Sequence, residues 1–154
     1  MAGPVRPRRS IYCGGGGDRG GLVNSRRDSL YPEDWRVVGR QDWHRIHVML
    51  ADGDAEGAGL FLQQALEKFL KAYLLGKGWK LKKVHTLQSL LDEATAHDDA
   101  IRPFRGLCEQ ASAFYMAERY PTLGGTGLEL EEVKPLLPEA RSLITALFPD
   151  EVMQ

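Results

Sequence analysis

The chain has 154 residues, 20 Lys and Arg against 21 Asp and Glu, and a net charge of −1. That is enough chain for one domain with one sizeable core, and the charge balance excludes an overall electrostatic case for nucleic-acid or membrane binding. No run of roughly 18 apolar residues occurs, so no transmembrane helix is expected. No apolar stretch follows the basic start, so no secretory signal is expected and the protein is read as cytoplasmic. The two cysteines, Cys13 and Cys108, sit far apart in unrelated contexts and are read as free thiols. No ligand spacing suggests a metal, and no cofactor is expected.

Residues 1–31 form a leader rich in glycine and arginine (Arg6, Arg8, Arg9, Arg19, Arg26, Arg27) without periodicity. It is read as disordered, or as an extension from an upstream start codon. A basic arm touching RNA is the functional alternative. Residues 32–149 are read as one helical bundle and 150–154 as a tail. Pro32, Glu33 and Asp34 open a first helix, because proline and acids suit a first turn. Trp35, Val38, Trp43, Ile46 and Leu50 carry it to about Ala51. Asp52-Gly53-Asp54 breaks it, and Asp54 is placed to cap the next helix.

That next helix, running to Gly76, is the longest amphipathic stretch. At about 100° per residue, Ala58, Leu62, Ala65, Leu66, Phe69 and Tyr73 fall on one side. Gln64, Glu67, Lys68 and Lys71 fall on the other, within an arc of about 100°. Gly78 follows as the left-handed C′ residue. A basic connector (Lys77, Lys80, Lys82, Lys83) leads to a third helix from Leu87 to about His97, capped by Thr86 or His85. A fourth runs from about Asp98 to Glu118, and Arg119-Tyr120-Pro121 ends it. A glycine-rich loop precedes a last helical region, Glu129 to Leu147, which Pro135 and Pro138 divide, leaving a helix from Pro138 to Phe148. No strand alternation appears. The expected fold is all-α, an up-and-down antiparallel bundle of four or five helices.

Four pieces in this order, Gln64-Ala65-Leu66-Glu67-Lys68-Phe69-Leu70-Lys71, His85-Thr86-Leu87, Arg119-Tyr120-Pro121 and the acidic segment around Glu129, resemble the HEPN domain (higher eukaryotes and prokaryotes nucleotide-binding). The resemblance covers about Asp34 to Phe148. It implies a helical bundle that dimerises, and small members paired with a nucleotidyltransferase as toxin and antitoxin. It also implies two functional branches, metal-independent ribonucleases and non-catalytic nucleotide- or RNA-binding modules.

The ribonuclease branch carries Arg-x(4–6)-His, whose arginine and histidine suit a phosphorane and a 2′-hydroxyl. No histidine follows Arg119 or Arg141. Arg40 and His47 have the spacing, but in the first helix, where the family does not place the motif. His85 is the other weak candidate, as base or phosphate ligand, although a structural role at a helix start is favoured.

The polar stripe has three readings. It is a solvated face with a Glu67–Lys71 pair worth a few tenths of a kcal/mol. Or Lys68 and Lys71 reach a phosphate while Gln64 and Glu67 bond a base or ribose, with Arg119 and Tyr120 closing the pocket. Or the lysine stems cover apolar surface at a dimer seam. The expectation is a nucleotide- or RNA-binding module, homodimeric and acting with a nucleotidyltransferase. A ribonuclease toxin and a pure protein-interaction module are the alternatives.

Overall fold

A computed structural model describes residues 28–83, 86–119 and 127–154. Among these residues there is no strand, and the fold is an all-helical bundle. Helix α1 spans Pro32–Asp52, with Pro32, Glu33 and Asp34 in its first turn. Gly53 stops it with φ 81°, and its N–H and that of Asp54 return to the carbonyls of Leu50 and Met49. Asp54 then caps α2 (Ala55–Gly76) through its side chain, which accepts from the Gly57 N–H at 2.8 Å. The link is thus two residues long and turns the chain back on itself, which makes α1 and α2 antiparallel neighbours. Gly78, φ 84°, ends α2 in the same way, and the Trp79 N–H returns to Leu74 at 3.0 Å.

Helix α2 is the centre of the bundle. It packs against α1, against α3 (Leu87–Thr95), α4 (Arg105–Arg119), α5 (Leu130–Val133) and α6 (Leu136–Leu147). The expected core face is buried: Ala58, Leu62, Ala65, Leu66 and Phe69 are fully enclosed, and Tyr73 is half-buried. Leu70, Ala72 and Leu74 are fully enclosed as well. Burial therefore runs round the helix rather than along one stripe.

Two helix starts differ from the sequence reading, and proline explains both. The fourth helix begins as a 3-10 turn, Asp99–Phe104, capped by Asp98; Pro103 supplies no N–H to an α-ladder there, and α4 starts only at Arg105. The last helix starts at Leu136, two residues before Pro138. Pro138 lies within its first turn, where an N–H has no intrahelical partner to lose. Thr86 stands at the N-cap of α3 without a side-chain bond to the backbone. Among the described residues, no helix is long and apolar enough to cross a membrane.

The stretch expected as a tail lies on the bundle. Arg36 donates from Nε to Glu151 at 2.8 Å and from Nη2 to Asp150 at 3.0 Å. Arg40 donates from Nη1 to both Glu151 oxygens at 2.9 Å. Met153 is buried in the core cluster, and Arg141 donates to its carbonyl. Residues 148–154 therefore form a strap across α1.

Glycines set two close approaches. A Cβ on Gly39 would lie 2.9 Å from the Phe69 ring, and one on Gly59 would lie 3.0 Å from Phe114 Cβ and 2.8 Å from Leu128 Cδ2. Phe114 Cβ is fixed to its own backbone, so α4 has to move if Gly59 gains a side chain. Gly59→Val is expected to lower unfolding stability by about 2 kcal/mol in urea titration. Gly106 has open space around it, and Gly106→Ala is expected to raise stability by up to about 1 kcal/mol.

Candidate functional site: the polar chain of the central helix

The polar residues of α2 form two rows at one-turn spacing, Gln64–Lys68 and Gln63–Glu67–Lys71, joined between the neighbours Gln63 and Gln64. Lys68 Nζ donates to Gln64 Oε1 at 2.9 Å, and Gln64 Nε2 to Gln63 Oε1 at 2.9 Å. Gln63 Nε2 donates to Glu67 Oε2 at 3.1 Å, and Lys71 Nζ to Glu67 Oε1 at 2.7 Å. The result is one continuous hydrogen-bonded chain with an ammonium at each end. Gln63, Glu67 and Lys71 are 1%, 3% and 3% exposed.

The reading of this stripe as a solvated face is therefore corrected. Glu67 and Lys71 are enclosed because α2 is packed on every side. Their pair is a buried salt bridge, for which desolvation outweighs the few tenths of a kcal/mol of an exposed pair. Lys68 is half-buried instead, and its ammonium rests on a neutral amide oxygen.

Trp35 forms the facing wall. Its ring centroid lies 5.2 Å from Lys71 Nζ and 6.0 Å from Lys68 Nζ, within cation–π range. Its Nε1 donates to the Ser29 carbonyl at 2.8 Å, and Ser29 Oγ donates to Asp34 at 2.7 Å. These bonds fix the ring and one carboxylate. Asp28, Ser29, Asp34, Trp35, Val38 and Lys68 line a cleft of about 240 Å³. Acceptors, one cation and an aromatic wall thus meet at the Lys68 end of the chain.

Arg119 closes α4, while His85 and Tyr120 lie outside the described residues. Arg40 is held by Glu151 and also by Glu33 at 2.6 Å. His47 is exposed and meets the Trp43 ring edge-on. The clefts beside Arg40 are lined by His44, not His47. In the connector, Lys82 pairs with Glu93 at 3.1 Å, and Trp79 donates to the same carboxylate. Lys77, Lys80 and Lys83 are exposed.

Hydrogen bonds raise the Arg40 pKa, those with Glu151 and Glu33 leading. For Arg36, burial opposes the charge, but bonds to Glu151 and Asp150 outweigh it and the pKa is raised. The Asp150 carboxyl is held below its ordinary range by its bond from Arg36. Burial pushes the Cys108 thiol up to about 12, so it stays protonated and unreactive in the fold. Among the described residues, no group of three or more His, Cys, Asp or Glu is placed to hold a metal.

Sequence reasoning missed Gln63, and it placed Trp35 on the apolar side of the first helix, where the residue is indeed buried, without showing that its ring faces the two lysines. The i,i+4 spacing of Gln63, Glu67 and Lys71 was a signal for the first. Nothing local reveals which helix Trp35 faces. Lys71→Met removes the ammonium from a buried carboxylate and is expected to cost about 3 kcal/mol in urea unfolding. Adding Glu67→Leu is expected to recover much of that loss, since no lone charge then remains buried.

A search of curated proteins and one of solved structures found no match to the chain. The family model for the HEPN domain matches residues 32–150, from the first residue of α1 to the strap. Its span takes in every helix described above, including the central α2 and its polar chain. This chain belongs to the HEPN domain family.

Proposed function

We propose that this HEPN domain binds a nucleotide, free or within RNA, in the cleft between Trp35 and Lys68. The observation that carries the reading is the half-buried Lys68 ammonium, which rests on the Gln64 amide rather than on a carboxylate. A phosphate offers it a charged partner without breaking an ion pair. The cleft also presents Asp28 and Asp34, acceptors suited to ribose hydroxyls or an exocyclic amine, and the Trp35 wall suits a base. Glu67 and Lys71 act by holding the chain of bonds that positions Gln64 and Lys68. Lys71 reaches a phosphate only by leaving Glu67.

The reading is that of a binding module. Arg40 and His47, the pair of the α1 ribonuclease spacing, do not meet in one cleft, since the clefts beside Arg40 are lined by His44, which disfavours a catalytic role for the pair. The family resemblance extends the proposal to a nucleotidyltransferase partner in a toxin–antitoxin pair and to a homodimer. Val37, Gln41, His44 and Val48 support the homodimer. They are exposed along α1 at spacings of four, three and four, the repeat of a helical seam.

Calorimetric titration with ATP, GTP and a short RNA tests the site. Lys68→Ala is expected to weaken binding about tenfold, the worth of one charge-assisted hydrogen bond. Unchanged affinity in Lys68→Ala, or no heat from the unaltered protein, would sink the assignment; Arg119→Ala and Tyr120→Phe belong in the same series. Light scattering after size exclusion tests the seam, with Val37→Glu/Val48→Glu expected to shift a dimer to monomer. A dimer indifferent to that pair of changes excludes this face.

A further inference from the structure

The strap poses a separate question. Glu151 is an acid whose side chain is only 3% exposed, and two guanidiniums converge on it. Arg36 reaches it through Nε at 2.8 Å and Nη2 at 2.6 Å, and Arg40 through Nη1 at 2.9 Å. Converging arginine forks are the geometry that recognises a phosphate as well as a carboxylate. Beside them, Arg40, Trp43, His44, Val152, Met153 and Gln154 line a cleft of about 270 Å³. The Trp43 indole N–H is buried and has no hydrogen-bond partner among the described residues. Such an orphan donor leaves its desolvation uncompensated, on a residue that lines the cleft. Arg141 lies over the Trp43 ring at 5.6 Å, with its guanidinium engaged by the Met153 carbonyl.

We infer that Arg36 and Arg40 form a phosphate-binding fork that Glu151 occupies, and that residues 148–154 are a displaceable strap competing with a phosphate-bearing ligand. The charges follow the strap. With it docked, Glu33, Asp150 and Glu151 face the two guanidiniums. With it lifted, Glu33 alone remains, Arg141 loses its carbonyl, and the cleft beside Trp43 becomes cationic. The strap is anchored at its start by Phe148, which packs on Phe69 and Tyr73 and lies under Arg36, and near its end by Met153, while Val152 between them is exposed. An intramolecular acid of this kind competes at an effective concentration in the millimolar range. The fork is distinct from the Lys68 cleft and does not depend on it.

The test compares the unaltered chain with Glu151→Gln and with a chain ending at Pro149. Probes are inorganic pyrophosphate, ATP and a fluorescein-labelled eight-nucleotide RNA, with affinities from calorimetry or anisotropy and folding checked by circular dichroism. Release of the strap is expected to tighten binding on the order of tenfold or more. Arg36→Gln/Arg40→Gln in the Glu151→Gln background is expected to abolish that gain, and Lys68→Ala to leave it intact. A gain with pyrophosphate and ATP as well as RNA identifies a phosphate site open to free nucleotides. A gain with RNA alone identifies the polymer backbone. A strap that serves only to brace α1 makes the opposite showing: Glu151→Gln melts earlier but binds every probe as the unaltered chain does, and that result overturns the inference. If the shortened chain does not fold, the full-length Glu151→Gln protein decides the matter.

Discussion

A helix surrounded by other helices has no solvent face on which to leave its polar side chains. Every donor and acceptor on it has to find a partner within the bundle, or the fold carries its desolvation uncompensated. Helix α2 is in that position, and its Glu67–Lys71 bridge is the answer to it. A carboxylate and an ammonium one turn apart neutralise each other, Gln63 takes the second carboxylate oxygen, and Gln64 passes the bond on to Lys68. The bundle can close around α2 because that chain is complete along the helix. One end of the same chain reaches a cleft, so the interaction that permits burial also fixes the Lys68 cation at the surface.

Close approach supplies the second condition. Gly39 lets the Phe69 ring lie against α1, and Gly59 lets Phe114 and Leu128 lie against α2. The Gly39 contact lets Trp35 lie over the two lysines, since the ring can reach Lys71 only if α1 lies low on α2. Small residues and buried charge thus act together: the glycines set the distance between helices, and the ion pair makes that distance tolerable.

The sequence made the turns and the apolar face legible because both are local. Gly53, Asp54 and Gly78 act through partners within five residues, and Ala58 to Phe69 repeat at helical spacing. Glu67 and Lys71 misled for a physical reason. Periodicity reports which side of a helix is polar, but the number of neighbours around that helix decides whether the polar side meets water. Charged residues opposite an apolar stripe read as a surface unless α1 and α4 are known to flank them both. The strap was illegible for a different reason. Arg36 and Glu151 are 115 residues apart, and no window of sequence contains the pair. A proline-acid stretch after the last helix looks like a tail until the arginines that hold it are placed in space. The Trp35 wall belongs to this class as well, because its partner helix is set by packing and not by spacing.

Helix α1 separates the Lys68 cleft from the arginine fork. Trp35 and Arg36 are consecutive, so their side chains leave the helix about 100° apart. Trp35 turns to the lysines of α2, and Arg36 turns to the strap. Between them the helix is held by its own packing, with Gly39 against Phe69 and Trp43 and Ile46 buried below. A ligand in the Lys68 cleft meets the Trp35 side of this wall, and one on the arginine fork meets the Arg36 side. They share a backbone but no side chain, for Lys68, Trp35 and Asp34 line one site and Arg36, Arg40 and Glu151 make up the other. Coupling between them would pass through a shift of α1 as a body or through Phe148 of the strap, which packs on Phe69 and Tyr73 of α2. The close Gly39–Phe69 contact opposes such a shift, because a packed interface of this kind moves between discrete arrangements rather than yielding by degrees. Substitutions on the two faces of α1 therefore act independently to first order.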